Sequence, residues 1–339
     1  MILERPDGNL EIEERAGGAR RVRARVHDGP PPTREWCDTS YPVELIQSIL
    51  DVKGVAWVCD EISRDQDPAT IQRYFEDDFL PYVAPDAFDG KRILDFGCGS
   101  GSSTMVLARL FPRSEIVGVE LSPELLELAR RRQQFYGYPN VTFVLSPAGT
   151  TLPPGLAPFD FVVLSAVYEH LLPAERRTLM PQLWAHVKPG GVLLMNQTPH
   201  RFFPFESHTT GVPLINYLPD RLAHWAARHL SRRNLAGDSW EVLLRKGIRG
   251  ATEREVLRSL GPGPAESRPV LLSPGGPRFR DRVDVWYAAL SPRHRALKIA
   301  CREMLRIVER VAGTTLVVNL SLAIQKGARP GRSEPCAAR

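Results

Sequence analysis

Cysteine and long apolar runs are both scarce in this sequence, and each scarcity argues against a class of protein. Five cysteines stand far apart in 339 residues, an odd number without a close pair. This spacing argues against a disulfide framework or a zinc site and favours reduced thiols. The best membrane-span candidate, residues 316–324, is short and interrupted by Asn319 and Ser321. The first residues lack the basic-then-apolar order of a signal peptide, so we expect a cytoplasmic protein with no metal site and no membrane span.

Negative charge is in short supply in the second part of the chain. Residues 1–199 hold 20 Lys and Arg against 27 Asp and Glu, whereas residues 200–339 hold 24 against 12. A basic half can attract an anionic substrate or a nucleic acid. The arginines, however, are scattered at helical intervals with few aromatic residues between them. A solvated basic face is therefore favoured, and nucleic acid is not expected as a partner.

A glycine-rich stretch at residues 92–101 organises the rest of the sequence. The apolar pair Ile93 and Leu94 predicts a short buried strand, which ends at an acid and three alternate glycines. Residues 102–111 then carry apolar side chains at helical spacing. Glycine allows positive φ and the close approach of a ligand. The third glycine comes one position too early for the dinucleotide fingerprint, because Ser102 occupies the expected place.

The loop resembles motif I of the class I S-adenosylmethionine-dependent methyltransferases. A second strand is expected over residues 115–121, with the acid Glu120 near its end. Glu120 stands 19 positions after Gly101, and Ser122-Pro123 then begins a helix. An acid at that strand end can accept hydrogen bonds from two ribose hydroxyls. The resemblance implies S-adenosylmethionine as cofactor. The cofactor-binding candidates are Asp95, Gly97, Cys98, Gly99, Gly101, Glu120, Leu121, Ala148 and Ser165. Ser146-Pro147 stands where the family usually has an acid for the adenine amino group, so this chain departs from the family pattern at that contact.

Repeated strand–helix units over residues 90–200 predict the fold class. Strands are expected at 141–148, 159–166 and 192–197, with a helix from Pro173 to 187 and a Pro-Gly-Gly turn after it. This order predicts an α/β, doubly wound, mostly parallel sheet. The resemblance implies seven strands in a Rossmann-like methyltransferase sheet, with N-terminal helices and a helical insertion before the last strands.

The chain is divided into six predicted segments. They are an irregular leader (1–35), an N-terminal helical cap (36–88), the S-adenosylmethionine-binding core (89–200), an inserted acceptor-binding or lid region (201–313), a closing strand (314–326) and a disordered tail (327–339). Within the inserted region we expect helices at 220–230, 252–260 and 292–311, and a Gly/Pro-rich linker at 261–277.

Histidines are the candidates for acid–base chemistry, because an oxygen acceptor benefits from a general base whose pKa lies near neutrality. His208 is the first candidate, with Glu206 or Glu169 orienting it, and His170 is the second. The alternative for His208 and Glu206 is that they only hydrogen-bond the loop backbone.

The predicted function is methyl transfer to a small-molecule acceptor. A hydroxyl oxygen of a secondary metabolite or of a sugar-bearing precursor is favoured, because Glu169-His170 resembles the segment found in small-molecule methyltransferases and no nucleobase-methylase signature is present. An N-methyltransferase acting on RNA or protein is the first alternative. A cofactor-binding module without catalysis is the second. Oligomeric state is left open.

Overall fold

A computed structural model of the chain describes residues 1–27, 29–261, 268–275, 279–290 and 295–327. The strands are β1 (Ile2–Arg5), β2 (Gly8–Glu14), β3 (Arg20–Val26), β4 (Trp36–Thr39), β5 (Arg92–Phe96), β6 (Glu115–Glu120), β7 (Val141–Leu145), β8 (Phe159–Ser165), β9 (Val187–Pro199), β10 (Pro269–Leu271) and β11 (Asn319–Lys326). The helices are α1 (Val43–Lys53), α2 (Val58–Gln66), α3 (Ile71–Asp78), α4 (Ser102–Leu110), α5 (Pro123–Tyr136), α6 (Pro173–His186), α7 (Asp220–Leu230), α8 (Trp240–Arg245), α9 (Glu253–Ser259), α10 (Arg282–Ala289) and α11 (Arg295–Ala312).

Seven strands form the main sheet, in the order β10-β11-β9-β8-β5-β6-β7. Strands β6 and β7 pair in parallel, as do β8 and β9, whereas β11 is antiparallel to both β9 and β10. The central strands have continuous apolar runs, such as Val162 to Leu164 at 0% exposure, as expected for parallel strands covered on both faces. The predicted fold class is confirmed.

The first of two structural units comprises residues 1–76, 85–90 and 94–146. Its N-terminal part is a four-stranded antiparallel sheet in the order β1-β2-β3-β4. The prediction of an irregular leader over residues 1–35 was therefore wrong. Residues Leu10, Ile12, Val22 and Ala24 alternate with charged residues and are buried, and this two-residue period is the signature of a strand with one buried face. The arginine-rich composition of β3 concealed it.

Residues 36–88, predicted as a helical cap, begin instead with the strand β4 and continue with three helices. Strand β4 pairs with β3, with Cys37 opposite Val22. Helix α2 was not expected. Helix α3 begins at Ile71, and Asp67 accepts a hydrogen bond from the backbone N–H of Ala69 in the turn before it. The buried side of α1 and α2 packs with the apolar face of the N-terminal sheet in one core.

The second unit comprises residues 77–84, 91–93 and 147–339. Strand β10 lies inside the segment predicted as a Gly/Pro-rich linker, so that prediction was wrong for residues 269–271. Pro269 is the first residue of this strand, a position that tolerates the missing N–H. Strand β11 lies within the predicted closing segment. The predicted tail, apart from Gly327, lies outside the described residues.

The helices of residues 201–313 agree broadly with the expected ones. Helix α7 has the bounds that were expected, and α9 begins one residue after Thr252, whose hydroxyl caps it together with Glu255 in a capping box. None of the helices in the described ranges has an apolar stretch long enough to cross a bilayer.

Candidate functional site

The glycine-rich loop joins β5 to α4 in the first unit. Gly97, Gly99 and Gly101 all have positive φ, at 72°, 56° and 84°, a backbone conformation that favours glycine. The N–H groups of Gly97 and Cys98 donate to the carbonyl oxygen of Val119, at 2.8 and 3.1 Å. The loop is thus anchored to β6, and its conformation is set by backbone bonds.

Asp95, predicted to bind cofactor, instead holds the loop from behind. It is 1% exposed, and its Oδ2 accepts hydrogen bonds from the hydroxyls of Ser103 and Thr104, each at 2.7 Å. Burial raises the pKa of Asp95 to about 6, against the opposing effect of these two hydroxyl donors. Because both donors lie in the first turn of α4, Asp95 ties the strand end to the helix that follows the loop.

Cys98 points into the protein, away from the solvent side of the loop. It is 5% exposed, and burial raises the pKa of its thiol well above the usual value. A Cβ on Gly118 would lie 3.0 Å from Cys98 Sγ and 2.6 Å from the ring of Phe143. Cys98 is therefore a packing residue of the loop, and an inert thiol of this kind is not a nucleophile.

Glu120 lies at the end of β6, with its carboxylate against the loop. Its Oε2 accepts from the N–H of Gly99 at 2.9 Å, and its Oε1 accepts from the N–H groups of Leu121 and Ser122 at 2.7 and 2.9 Å. A carboxylate offers about four lone-pair directions. Three are used here, so Glu120 keeps acceptor capacity for a ligand hydroxyl.

The first unit fits the nucleoside part of S-adenosylmethionine, the cofactor implied by the sequence. A Cβ built on Gly99 meets no atom within 4 Å, so the backbone is open on that side. The Glu120 carboxylate beside it keeps an acceptor position for a ligand hydroxyl. Leu121, the next residue, is 52% exposed and offers apolar surface. The loop, the acid and the exposed leucine are the features such a ligand requires.

Two glycines of the loop should respond differently to alanine. Gly99→Ala is expected to cost about 1 kcal/mol for the left-handed backbone and to abolish cofactor binding, because its methyl group projects into the open side. Gly101→Ala should destabilise by about 1–3 kcal/mol more, since its Cβ would lie 2.7 Å from that of Ala129. Thermal unfolding and calorimetric titration of S-adenosylmethionine measure the two effects.

Gly137→Ala is the matched control for the backbone cost. Gly137 has φ of 67°, and a Cβ there also meets no atom within 4 Å. This variant should lose about as much stability as Gly99→Ala and bind S-adenosylmethionine as the wild type does. Unchanged binding by Gly99→Ala would place the ligand elsewhere.

A buried ionic network supports the loop, and sequence reasoning missed it. Arg132 of α5 is completely buried and donates to Glu61 at 2.9 Å, to the carbonyl and hydroxyl oxygens of Ser100 at 2.9 and 2.6 Å, and to the hydroxyl of Ser102 at 2.6 Å. Its Nε lies 3.7 Å from Asp65 Oδ1. A single guanidinium thus links α2, α5 and the glycine loop.

The charges in this network are unequal in effect. Burial acts to raise the pKa of Glu61, but the positive charges of Arg132, Lys53 and Arg64 outweigh it, and the net shift is downward. Burial raises the pKa of Asp65, and Arg132 only partly offsets it. Tyr41 and Tyr136 donate their hydroxyls to Asp65 Oδ2. The sequence signal that could have revealed this network is the pair Glu61 and Asp65, two acids four residues apart on the amphipathic helix α2.

In the second unit the predicted acid–base residues do come together. Glu169 and His170 lie in a short turn after β8, and the ligand atoms of Glu169, His170 and His208 are all within 4.8 Å of one another. The two imidazole rings have centroids 5.6 Å apart. Gly247 allows the close approach, because a Cβ there would lie 2.8 Å from the His208 ring.

Glu169 is the buried member of this group. It is 0% exposed, its Oε2 accepts from the Thr198 hydroxyl at 2.7 Å, and burial raises its pKa against the opposing charge of His170. His170 Nδ1 lies 2.7 Å from the carbonyl oxygen of Arg245. A carbonyl can only accept, so Nδ1 carries a proton, and the lone pair of the neutral ring is on Nε2.

His208 lies on the exposed side of the same group. Partial desolvation lowers its pKa, and the neighbouring His170 lowers it further. A neutral imidazole near physiological pH can accept a proton, which is the property that a general base needs.

The hydrogen bonds of Glu206 go to its own turn, and its charge acts to raise the pKa of His208 against the effect of burial. Its two carboxylate oxygens accept from the N–H groups of Thr209 and Thr210 and from the Thr210 hydroxyl, at 2.5–2.7 Å. The expectation that Glu206 positions the base is replaced by the alternative of a backbone-holding residue. These donors satisfy the buried carboxylate, and the bonds they form hold the turn that carries His208 in place.

Ala148 and Ser165, two predicted cofactor contacts, belong to the second unit. Ala148 forms an isolated bridge with Thr151, and Ser165 is the last residue of β8, opposite Asn196. His200, another histidine after a strand end, is 1% exposed, and burial lowers its pKa to about 4. Its Nδ1 accepts from the N–H of Phe202, so His200 has a structural role.

The comparison with known families matches residues 93–191 to a methyltransferase domain. These residues include the glycine-rich loop, Glu120 and the Glu169-His170 turn.

Curated relatives carry the same activity in their names. A trans-aconitate 2-methyltransferase from Methylobacterium radiotolerans is 35% identical over 133 residues, which cover 38% of this chain and 48% of that protein. One from Acidovorax sp. (strain JS42) is 30% identical over 235 residues, covering 66% of this chain and 72% of that protein. The chain spans about half the length of the first curated relatives that it matches, 48% to 55%.

Among solved structures, an S-adenosylmethionine-bound amino pentose methyltransferase from Micromonospora echinaspora is 35% identical to this chain. The match covers 33% of this chain and 45% of that one, with a TM-score of 0.28.

Proposed function

Since this chain belongs to the class I S-adenosylmethionine-dependent methyltransferases, we propose that it transfers the methyl group of S-adenosylmethionine to a hydroxyl oxygen of a small molecule. The bound cofactor supplies a methyl group activated on a sulfonium. The protein must hold donor and acceptor in line and remove the acceptor's proton.

The proposed site for the methyl donor rests on one observation, the open side of Gly99 next to the Glu120 carboxylate. Glu120 would accept the ribose hydroxyls, Leu121 would contact the base, and the loop backbone would pass below the amino-acid part. The anchoring of the loop by Val119 and Asp95 keeps this surface in place before the ligand arrives, which reduces the ordering cost of binding.

The proposed site for the methyl acceptor rests on the imidazoles of His170 and His208 beside the buried carboxylate of Glu169. His208, the exposed ring, would take the acceptor's proton, and His170 and Glu169 would stabilise the charge that results. Glu169 is suited to this because it is buried and lies 3.7 Å from His170. Relatives named for trans-aconitate support a small-molecule acceptor. A secondary metabolite or a sugar-bearing precursor fits this class.

The donor site is tested by calorimetric titration of S-adenosylmethionine and S-adenosylhomocysteine into wild type, Glu120→Ala and Glu120→Gln. We expect Glu120→Ala to lose about 1–3 kcal/mol of binding free energy, the cost of leaving ligand hydroxyls unpaired, which is roughly a tenfold to hundredfold weaker Kd. Glu120→Gln keeps the shape of the side chain and one acceptor oxygen, so it should lose less binding free energy than Glu120→Ala.

Glu124→Ala is the control, because Glu124 is an exposed carboxylate in the first turn of α5, the helix that follows Glu120. It should bind both ligands as the wild type does. Wild type that binds neither ligand would refute the donor site. A screen of hydroxylated small molecules, RNA and protein with labelled donor then identifies the acceptor class, and label on RNA or protein would overturn the small-molecule proposal.

A further inference from the structure

The turn after β8 that carries Glu169 and His170 has a property that methyl transfer does not require. Glu169 Oε1 is buried and accepts no hydrogen bond, although the other oxygen of this carboxylate is bonded to Thr198. Buried polar atoms are nearly always paired, so an unpaired carboxylate oxygen calls for an explanation. The side chain is 0% exposed.

The atom opposite Glu169 Oε1 is also electron-rich. His170 Nε2 lies 3.7 Å away, and it carries the ring's lone pair because Nδ1 donates to the Arg245 carbonyl. Two lone pairs facing each other across this gap attract a positive charge between them. Histidines that bind metals commonly donate their other ring N–H to a backbone carbonyl, and ligating carboxylates are themselves hydrogen-bonded. Both outer contacts are present here.

We propose that Glu169, His170 and His208 bind a divalent first-row transition-metal ion such as Zn²⁺, in a state of the protein in which His208 is a ligand and does not act as the base. The set of two imidazoles and one carboxylate suits this class of ion and leaves further coordination positions open. Bonds of about 2.0–2.2 Å would place ligand atoms roughly 3.0–3.5 Å apart. The 3.7 Å between Glu169 and His170 is already close to that spacing, and the ligand atoms of all three residues lie within 4.8 Å of one another.

The charges around the cluster are mixed. Arg233 donates to the backbone carbonyls of Ser207 and His208, and its positive charge opposes an ion there. Glu169 and Glu206 supply two buried negative charges on the other side. The guanidinium of Arg245 donates to both carboxylate oxygens of Glu175, each at 2.6 Å, so its charge is paired there. Arg176 also lies beside the cluster, where it donates to the backbone carbonyl of Glu169 and its positive charge acts on the Glu169 carboxylate.

Metal binding is measured directly on the full chain, stripped with a chelator and titrated with Co²⁺, then with Zn²⁺ in competition. Wild type is expected to bind one Co²⁺ per chain with the visible absorption of a low-coordinate site. Glu169→Gln and His208→Ala should each weaken Zn²⁺ binding at least tenfold, and Thr198→Val about 10–100-fold, because Thr198 orients the carboxylate. His208→Ala alters an exposed side chain and keeps the fold, so the test does not depend on the buried positions.

His229→Ala is the matched control. His229 is exposed in the same unit, and its Nδ1 likewise lies 2.8 Å from a backbone carbonyl, that of Trp225. This variant should bind metal as the wild type does. Wild type that binds no ion, or binding equally strong in His208→Ala and Glu169→Gln, would overturn the proposal. Neither donor nor acceptor is present in the titration, so its outcome is separate from that of the Glu120 variants.

Discussion

Replacing Arg132 with methionine is expected to lower the free energy of unfolding by about 3–5 kcal/mol, because it removes the nearer partner of a buried ion pair and leaves Glu61 with the more distant Lys53 as its counter-charge. Arg132 and Glu61 are 0% and 4% exposed. Chemical denaturation measures the loss. Cofactor affinity should fall as well, since Ser100 of the glycine loop loses two hydrogen bonds.

Arg131→Met is the control for this variant. Arg131 is the neighbouring residue of α5, half exposed, and it pairs with exposed Glu127. Surface pairs of this kind contribute about 0–1 kcal/mol. The double variant Glu61→Gln with Arg132→Met should recover part of the stability, because it removes both charges. A loss of less than about 1 kcal/mol in Arg132→Met would mean that the guanidinium does not hold the network together.

Removing the His208 imidazole should slow methyl transfer by about 10²–10⁴-fold, the usual contribution of a general base. His208→Ala is measured with the acceptor found by the screen. S-adenosylmethionine affinity should stay unchanged, so the loss should appear in kcat. Because His208 lies on the exposed side of its cluster, imidazole added to the solution should restore part of the rate.

The matched variants for this experiment are His229→Ala and Glu206→Gln. His229→Ala should retain the full rate. Glu206→Gln should lose stability through the turn at Thr209 and Thr210 and be insensitive to added imidazole. A His208→Ala rate within a factor of about 3 of wild type would exclude His208 as the base.

The central features could be predicted because their signals are local. A short apolar strand, glycines at 97, 99 and 101, and an acid at the end of the next strand lie within about thirty residues. They led to the family, the fold class and the cofactor, and these are confirmed. The histidine cluster needed contacts over a longer range, since His208 follows His170 by 38 positions. Its members were still recognisable as residue types that follow strand ends.

The errors have physical causes that composition does not show. In β3, Arg21, Arg23 and Arg25 lie on the face opposite the buried Val22 and Ala24, so a charged segment forms a strand. Strand β10 has only three residues, too few for a two-residue period to be visible. Glu206 looked like an orienting acid because it is near His208 in sequence, yet backbone N–H groups were closer partners. The Arg132 network joins residues 71 positions apart, a distance at which sequence patterns carry no pairing information.

That network also changes where the methyltransferase module begins. The segment that matches the family starts at residue 93 and contains Arg132, but the carboxylates that balance Arg132, Glu61 and Asp65, come from α2. A fragment cut at β5 would keep the whole glycine loop but would lose both carboxylates that pair with Arg132. The N-terminal region therefore contributes to the electrostatic environment of the glycine loop, and the residues that support this loop begin before the segment that matches the family.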